Sequence, residues 1–327
     1  MASNSLGTYH TLVDVAKLHN NKEFLDVAEV LHQKNGLMKV ASWEEANQLT
    51  SHVYSKEMSL PTGTWRGINE AITPENPQFE QGTEPLGILE SSSQIDCALL
   101  DHVVPDKNAY RYRYDMQHVE GLGQAATGAF FYGNNGSDPN KPSGIQVRYN
   151  NYSLANVHTN GCGDAGTVTS IYVVQFGPGK VNLLYGRNSG AKIVTAEDMD
   201  KQWIQSSVST GAGIWKYVTK FQMVMGVLVP DDRAVQRICN IGTDGADELQ
   251  ADLLIWALRS VPDPDDMSGT VIFCNRLGRY QIDKAFRDRP NMFFTSADQF
   301  GQQVETFGGA RIVLTEQILN TETVVAS

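Results

Sequence analysis

Cysteine is scarce and scattered in this 327-residue chain: Cys97, Cys162, Cys239 and Cys274 show no paired spacing. Zinc ribbons and redox motifs need two close cysteines, so neither is supported. Four reduced, mostly buried thiols acting as small hydrophobes are expected instead. No apolar run approaches the length of about 18 residues needed for a membrane-spanning helix, and no membrane partner is expected. The amino terminus, MASNSLGTYHTL, lacks the basic and apolar regions of a secretion signal, so synthesis and folding in a cytoplasm are expected. Basic runs are missing too. A formal net charge of −11 argues against a dedicated nucleic-acid binder, which needs clustered Lys and Arg. An acidic surface would still suit a protein beside which DNA must slide without sticking.

Catalytic and ligand-binding signatures are equally thin. The seven histidines, at 10, 19, 32, 52, 102, 118 and 158, contain no close pair to grip a metal, and no Gly-x-Ser-x-Gly elbow occurs. GCGDAG (161–166) matches a dinucleotide fingerprint by letters. That fingerprint works where a strand ends and a helix begins, because the pyrophosphate sits on the helix amino terminus. Here the β-branched run TVTSIYVV follows, and a turn is the better reading. FGPGK (176–180) lacks the four-residue interval and the Ser or Thr of a phosphate loop. Asp231-Asp232 and PDPDD (262–266) read as solvated turns ahead of cation sites. No catalytic residue, cofactor or metal is therefore expected.

What is present is a core-sized hydrophobic content of 41% without internal repeats. Tyr9–Leu18 and Lys22–Gln33 read as short amphipathic helices in an amino-terminal arm over 1–45. Residues 46–98 hold three β-leaning runs separated by Pro61, Gly63, Pro74, Pro77 and Gly82. Their alternation is weak and TPENPQFEQGTEP is polar, so this stretch cannot bury enough apolar surface to offset its own ordering entropy. With about 20 residues per leg, it would reach roughly 65 Å. Its expected support is a neighbouring subunit.

The next stretch, 106–132, predicts a helix with an acid at its start, Gly133 at its end and Tyr110, Tyr114, Leu122, Ala126 and Phe130 on one stripe. YGNNGSDPNKPSG (132–144) predicts a loop that is a hinge or a domain boundary. Beyond it, TVTSIYVVQF and KVNLLYG predict a hairpin closed by Gly177-Pro178-Gly179. Odd positions from Trp215 to Val229 predict a half-exposed strand that becomes buried, with Lys216 and Lys220 opposite. In the carboxyl third, ADELQADLLIWALRS predicts a helix capped by Asp244 with Leu249, Leu253, Trp256 and Ala257 on its apolar face. GTVIFCN predicts a buried strand, and Asn275 caps a helix RLGRYQIDKAF with Leu277, Tyr280 and Ala285 inward. MFFT and the segment after Gly308-Gly309 predict further strands. Layered packing of strands and helices follows.

Several of these stretches, in their shared order, resemble the major capsid proteins of tailed double-stranded DNA phages, most of all short-tailed ones. They are LDVAEVLHQKNGLMK with SLPTGTWRGINEAI, where Leu60-Pro61, Trp65-Arg66 and Asn69 fall as in that family's extended loop; FFYGNN before SGIQVRYN; VNLLYGRNSGAKIVTAEDM with GVLVPDDRAVQRICNI and IFCNRLGRYQI; and ETFGGARIVLTEQILNTE. The resemblance spans about residues 23 to 324.

It implies an α+β, Hong Kong 97-like capsid fold. Residues 46–98 would be the extended loop, 99–144 the spine helix and following loop of a peripheral domain, 145–260 mainly the axial domain, and 261–327 a mixed α/β segment completing the core. It further implies a structural protein whose copies close into hexamers and pentamers of an icosahedral shell around double-stranded DNA, touched weakly and non-specifically. Portal and cement proteins are implied partners. With no long amino-terminal scaffold region, a separate scaffold, or none, would direct assembly. The location implied is the virion, after assembly in the host cytoplasm. Pro61, Trp65, Arg66 and Asn69 are the expected inter-subunit contacts; a Trp65 tucked against its own domain is the alternative. Two other functions stay open: a non-viral encapsulating shell of the same fold, and a soluble α/β nucleotide-binding enzyme using GCGDAG.

Overall fold

The computed structural model describes residues 19–20, 23–24, 36–104, 106–164, 166–187, 189, 193–205, 212–245, 247–286, 294–299 and 302–326. In chain order they form β1 (His19–Asn20), β2 (Glu23–Phe24), α1 (Leu37–Val40), β3 (Trp43–Glu45), β4 (Ser51–Ser59), β5 (Gln78–Pro85), β6 (Gly87–Asp96), α2 (Lys107–Tyr132) and α3 (Ile145–Arg148). There follow β7 (Val157–Thr159), β8 (Val168–Gln175), β9 (Asn182–Tyr185), β10 (Val194–Gln205), β11 (Gly213–Leu228), β12 (Val235–Gly242), α4 (Ala251–Arg259), β13 (Thr270–Cys274), α5 (Arg276–Phe286), β14 (Phe294–Gln299), β15 (Gln302–Phe307) and β16 (Ala310–Leu314). Glu23–Phe24 pairs with His19–Asn20 as strand where a helix was expected; the rest of the two expected amino-terminal helices lies outside the described residues. The chain divides into two compact units, and α2 and β11 each contribute residues to both.

The first unit draws on 88–126 and 192–224. Its α2 starts where the Asp106 carboxylate accepts from the Asn108 and Ala109 amides at 3.0 and 3.1 Å, satisfying donors that the helix leaves free. The expected stripe is real here: Tyr110, Leu122 and Ala126 are buried. Tyr110 packs with Ile95, Leu99, Leu100 and Val104, and Tyr114 and Tyr217 close the cluster. Strand β6 alternates along its length and pairs with β11. Its buried positions alternate with more exposed ones, so this third β-leaning run belongs to a sheet and not to a free arm. On the other side β10 pairs antiparallel with β11, with a register shift between Asp198 and Lys201. Asp101 accepts from Lys107 at 2.7 Å and Lys201 at 3.1 Å. Lys216, expected on a solvent face, is buried.

The second unit, 34–87, 127–191 and 225–327, is built on a seven-stranded sheet of order β14-β15-β16-β13-β8-β12-β7. All residues of β8, β12 and β13 are buried. Alternation sorts them between two faces. Ile171, Val173, Ile238 and Ile272 join Leu254, Leu258 and Ile282 from α4 and α5 in one core. On the other face Tyr172 and Phe273 meet Phe130 and Phe131 from the end of α2, with Phe131 5.2 Å from Tyr172 and 5.7 Å from Phe273.

The expected hairpin between 167–176 and 180–186 does not form. Its turn exists, with positive φ at Gly177 and Gly179, but β8 has β12 on one edge and β13 on the other. No edge is left for β9, which pairs instead with β11 and β3. In GCGDAG, Gly161 and Gly166 have positive φ, and the chain runs on into β8, not into a helix.

The helix expected from 246 starts only at Ala251, with Gln250 and not Asp244 at its cap position. Asn160 explains the delay: its amide donates to the Asp247 and Glu248 carbonyls at 2.6 and 3.0 Å and accepts from the Gln250 amide at 2.9 Å. Backbone groups held this way are withdrawn from a helix. Trp256 and Tyr280, expected inward, point outward. Gln281 and Ile282 take the inner positions of α5, and Gln281 donates to the Gly242 carbonyl at 2.7 Å. Asn275 does cap α5, accepting from the Gly278 amide at 2.7 Å. Of MFFT, residues 294–295 begin β14 and 292–293 lie outside the described residues.

A buried ion pair ties the carboxyl-terminal segment to this sheet. Arg237 on β12 donates to Glu322 at 2.9 Å, to Ser170 at 3.1 and 3.2 Å, and to the Tyr149 carbonyl at 2.8 Å. Glu322 also accepts from Ser170 at 2.5 Å and Tyr132 at 2.6 Å. Burial works against the charge on Arg237, and its neighbours Tyr172 and Glu322 more than offset it, so its pKa is raised. Three residues on, Val325 exchanges backbone hydrogen bonds with the Asn240 side chain at 2.9 and 3.0 Å.

Candidate functional site

Within the stretch that sequence singled out, 51–59 and 78–85 form a hairpin of their own. Among the described residues β4 and β5 pair only with each other, and residues 57–81 are exposed throughout. The ordered strands are shorter than the expected legs: nine residues in β4 span about 30 Å. Between them, 60–77 is a loop without regular structure.

The hairpin is firmly rooted at its base. Glu84 on β5 is buried and accepts two hydrogen bonds from Arg148, at 2.7 and 2.5 Å. Arg148 also donates to the Ser143 and Val227 carbonyls, at 3.2 Å each from its Nη2. A fork of donors on a carboxylate is a directional, charge-assisted contact. Burial opposes the positive charge of Arg148, but the hydrogen bonds and charge of Glu84 outweigh it and raise its pKa. Tyr54 lies beside the same pair; burial, then the Glu84 charge, pushes its hydroxyl up. Its ring covers Gly82, where a Cβ would sit 2.5 Å from the ring carbon bearing the hydroxyl. The Asn47 side chain clasps the backbone of Val53 at 2.6 and 2.9 Å. None of these root residues was foreseen, since Glu84 and Arg148 are 64 positions apart and no local pattern links them.

The tip is the opposite case. Pro61, Trp65, Arg66 and Asn69 all lie on it and all are exposed. Trp65 is 101% exposed and Ile68 94%, with Leu60, Ile72 and Phe79 also open. The alternative in which Trp65 packs on its own domain is thereby excluded. Small polar contacts shape the loop: Thr62 donates to Glu75 at 2.8 and 3.2 Å, and the Gly67 amide to Glu70 at 2.6 Å. Arg66 donates to the Glu70 carbonyl at 3.0 Å, and Asn69 adopts φ 72°, which short polar side chains tolerate. Several large apolar side chains are thus held in solvent at the end of a rooted strut, and an exposed apolar surface of this kind is a candidate interaction site.

Asp231 pairs with Arg233 at 2.8 Å, Asp232 accepts from Tyr149 at 2.9 Å, and Asp263 pairs with Lys180 at 2.5 Å. Among the described residues no group of three His, Cys, Asp or Glu side chains could hold a metal ion. The four cysteines are buried and unpaired, and burial raises the Cys274 thiol to about 12. No helix of the described residues is long and apolar enough to cross a membrane.

Comparison with known proteins places this architecture. The model of the major capsid protein GP7 family matches residues 19–326. A near-atomic structure of bacteriophage Epsilon15 is similar over 99% of this chain and 99% of its own, at 23% identity and a TM-score of 0.73. A bacteriophage JBD30 capsid structure is similar over 94% of this chain and 99% of its own, at 10% identity and a TM-score of 0.54. No curated protein sequence matches. With nearly its whole length matched, the chain belongs to the major capsid protein GP7 family: it is a structural shell subunit of a tailed phage, on the Hong Kong 97-like fold, and not an enzyme.

Proposed function

We propose that copies of this subunit close into hexamers and pentamers of an icosahedral shell around double-stranded DNA, and that the arm within 46–98 is ordered by a neighbouring copy. The observation that carries this reading is the tip: Trp65 and Ile68 have no cover within their own chain. Tryptophan and arginine are the side chains that most often anchor interfaces, and Trp65-Arg66 stand together, flanked by Pro61 and Asn69. Each such contact is modest, but in a closed shell every subunit is held by several neighbours, so weak contacts sum to a permanent structure.

In this reading 99–144 supplies the spine helix and loop of a peripheral domain, 145–260 is mainly axial domain, and 261–327 completes the core. The net charge of −11 suits a wall that touches DNA weakly and without sequence preference. Portal and cement proteins, and a separate scaffold if one is used, join the shell in the host cytoplasm. The test is Trp65→Ala: subunits should stay soluble and folded yet fail to form shell-sized particles by electron microscopy and sedimentation. Normal particles would reject the arm's role. DNA protected from nuclease inside native particles distinguishes a genome container from an enzyme compartment.

A further inference from the structure

A two-stranded ribbon joined to its body by two chain connections can swing about the line through its feet. The feet of the arm lie side by side, where the Leu86 amide donates to the Thr50 carbonyl at 3.0 Å. Beyond the root, residues 57–81 are exposed throughout. Whether the arm swings is therefore decided by what grips it just above its feet. The grip is at Glu84, which pairs in register with the buried His52.

The Arg148 fork holds Glu84 and is itself held by the body. Its Nη1 and Nη2 each donate to one carboxylate oxygen of Glu84, Nε and Nη2 donate to the Ser143 carbonyl at 3.3 and 3.2 Å, and Nη2 reaches the Val227 carbonyl at 3.2 Å. Arg148 stands on α3, Ser143 on the loop before it and Val227 on β11, so three separate segments fix the plane of the guanidinium. A carboxylate seated on two parallel donors of a fixed plane cannot turn against it. Apolar packing blocks the feet as well. A Cβ on Gly226 would lie 2.7 Å from Leu86 Cδ2, and one on Gly87 2.8 Å from the Asn140 carbonyl oxygen.

We propose that Arg148 is the positioning residue of the arm: it sets the arm's direction in the free subunit, before a neighbour is met, and leaves the loop at 60–77 for the neighbour to order. The proposal rests on the arm's part in assembly argued above and adds how the tip is aimed. A tilt of about 10° at the root would carry the far end of a ribbon of roughly 30 Å sideways by about 5 Å. Such a shift exceeds the separation of about 4.5 Å at which side chains cease to touch. An arm aimed in advance also lowers the ordering cost of each contact made in the shell.

The test reads the arm's direction in subunits kept unassembled by dilution. Nitroxides at Ser59→Cys, at the far end of β4, and Ser153→Cys, on the body, give a distance distribution by double electron-electron resonance; both serines are exposed and the four native cysteines are buried. One narrow distribution is expected in the parent. It should broaden several-fold in Arg148→Met with Glu84→Leu, which removes the clamp without stranding a buried charge, while circular dichroism stays unchanged and the yield of shells falls. Glu84→Gln, which keeps one acceptor for the fork, should give an intermediate width and serves where the double variant does not fold. A broad distribution in the parent overturns the proposal without any variant. A distribution that stays narrow in folded variants overturns the role of Arg148 and leaves the arm's part in assembly standing. Broadening with shells formed at the parent's yield supports the clamp and overturns that part.

Discussion

Removing the Glu322 carboxylate should be among the most damaging single changes in this subunit. The Arg237 side chain is wholly buried and that of Glu322 nearly so; Glu322 also accepts from Ser170 and Tyr132, and Arg237 also donates to Ser170 and the Tyr149 carbonyl. In Glu322→Ala the guanidinium keeps only Ser170 and the Tyr149 carbonyl, and the two hydroxyls lose their acceptor. Leaving one partner of a buried pair uncompensated costs about 3–5 kcal/mol, a large part of the roughly 5–15 kcal/mol that holds a typical domain. Replacing both partners, as Arg237→Met with Glu322→Leu, removes the stranded charge and should cost much less than the single change. Urea unfolding of unassembled subunits, followed by fluorescence, measures both. A Glu322→Ala variant within about 0.5 kcal/mol of the parent, the scatter of ordinary surface changes, would refute the reasoning. So would a double variant worse than the single one.

Acid should act through Asp101. Hydrogen bonds from Lys107 and then Lys201 lower its carboxyl from 3.8 to about 2. The unfolded chain therefore takes up this proton first, so the stability from this group is complete above pH about 4 and disappears as pH falls through about 2. Asp101→Asn should flatten the acid limb of the stability curve in that window, and an unchanged limb would contradict the assignment. Gly133 closes α2, and a Cβ there would lie 2.4 Å from the Pro142 carbonyl oxygen and 2.5 Å from that of Ala129. Both obstacles are backbone, so Gly133→Ala should destabilise by about 1–3 kcal/mol, read as a lowered urea midpoint with an unchanged slope.

Local signals were legible where the chain answers to its own neighbours. Helix α2 was readable because Asp106 and Gly133 bracket it and apolar residues recur at helical spacing, with Tyr110, Leu122, Ala126 and Phe130 buried. The arm was readable from what it fails to do, which is alternate. Pairing partners were another matter. The Gly177–Gly179 turn was visible, but nothing local reveals that both edges of β8 are taken by β12 and β13, strands that come later in the chain. The late start of α4 depends on Asn160, 87 residues before Asp247. Tyr280 shares its helix spacing with Leu277, and only the sheet's demand for Gln281 decides which side of α5 turns inward. Tertiary partners override spacing in each case. The four tip residues were legible as types, and their own chain leaves all four exposed.

The place of Glu322 in the chain also sets a clock. Arg237 emerges from the ribosome 85 residues before the carboxylate that neutralises it. Until residue 322 follows, β12 carries a cation without its carboxylate, so completion of this sheet couples two positions 85 residues apart.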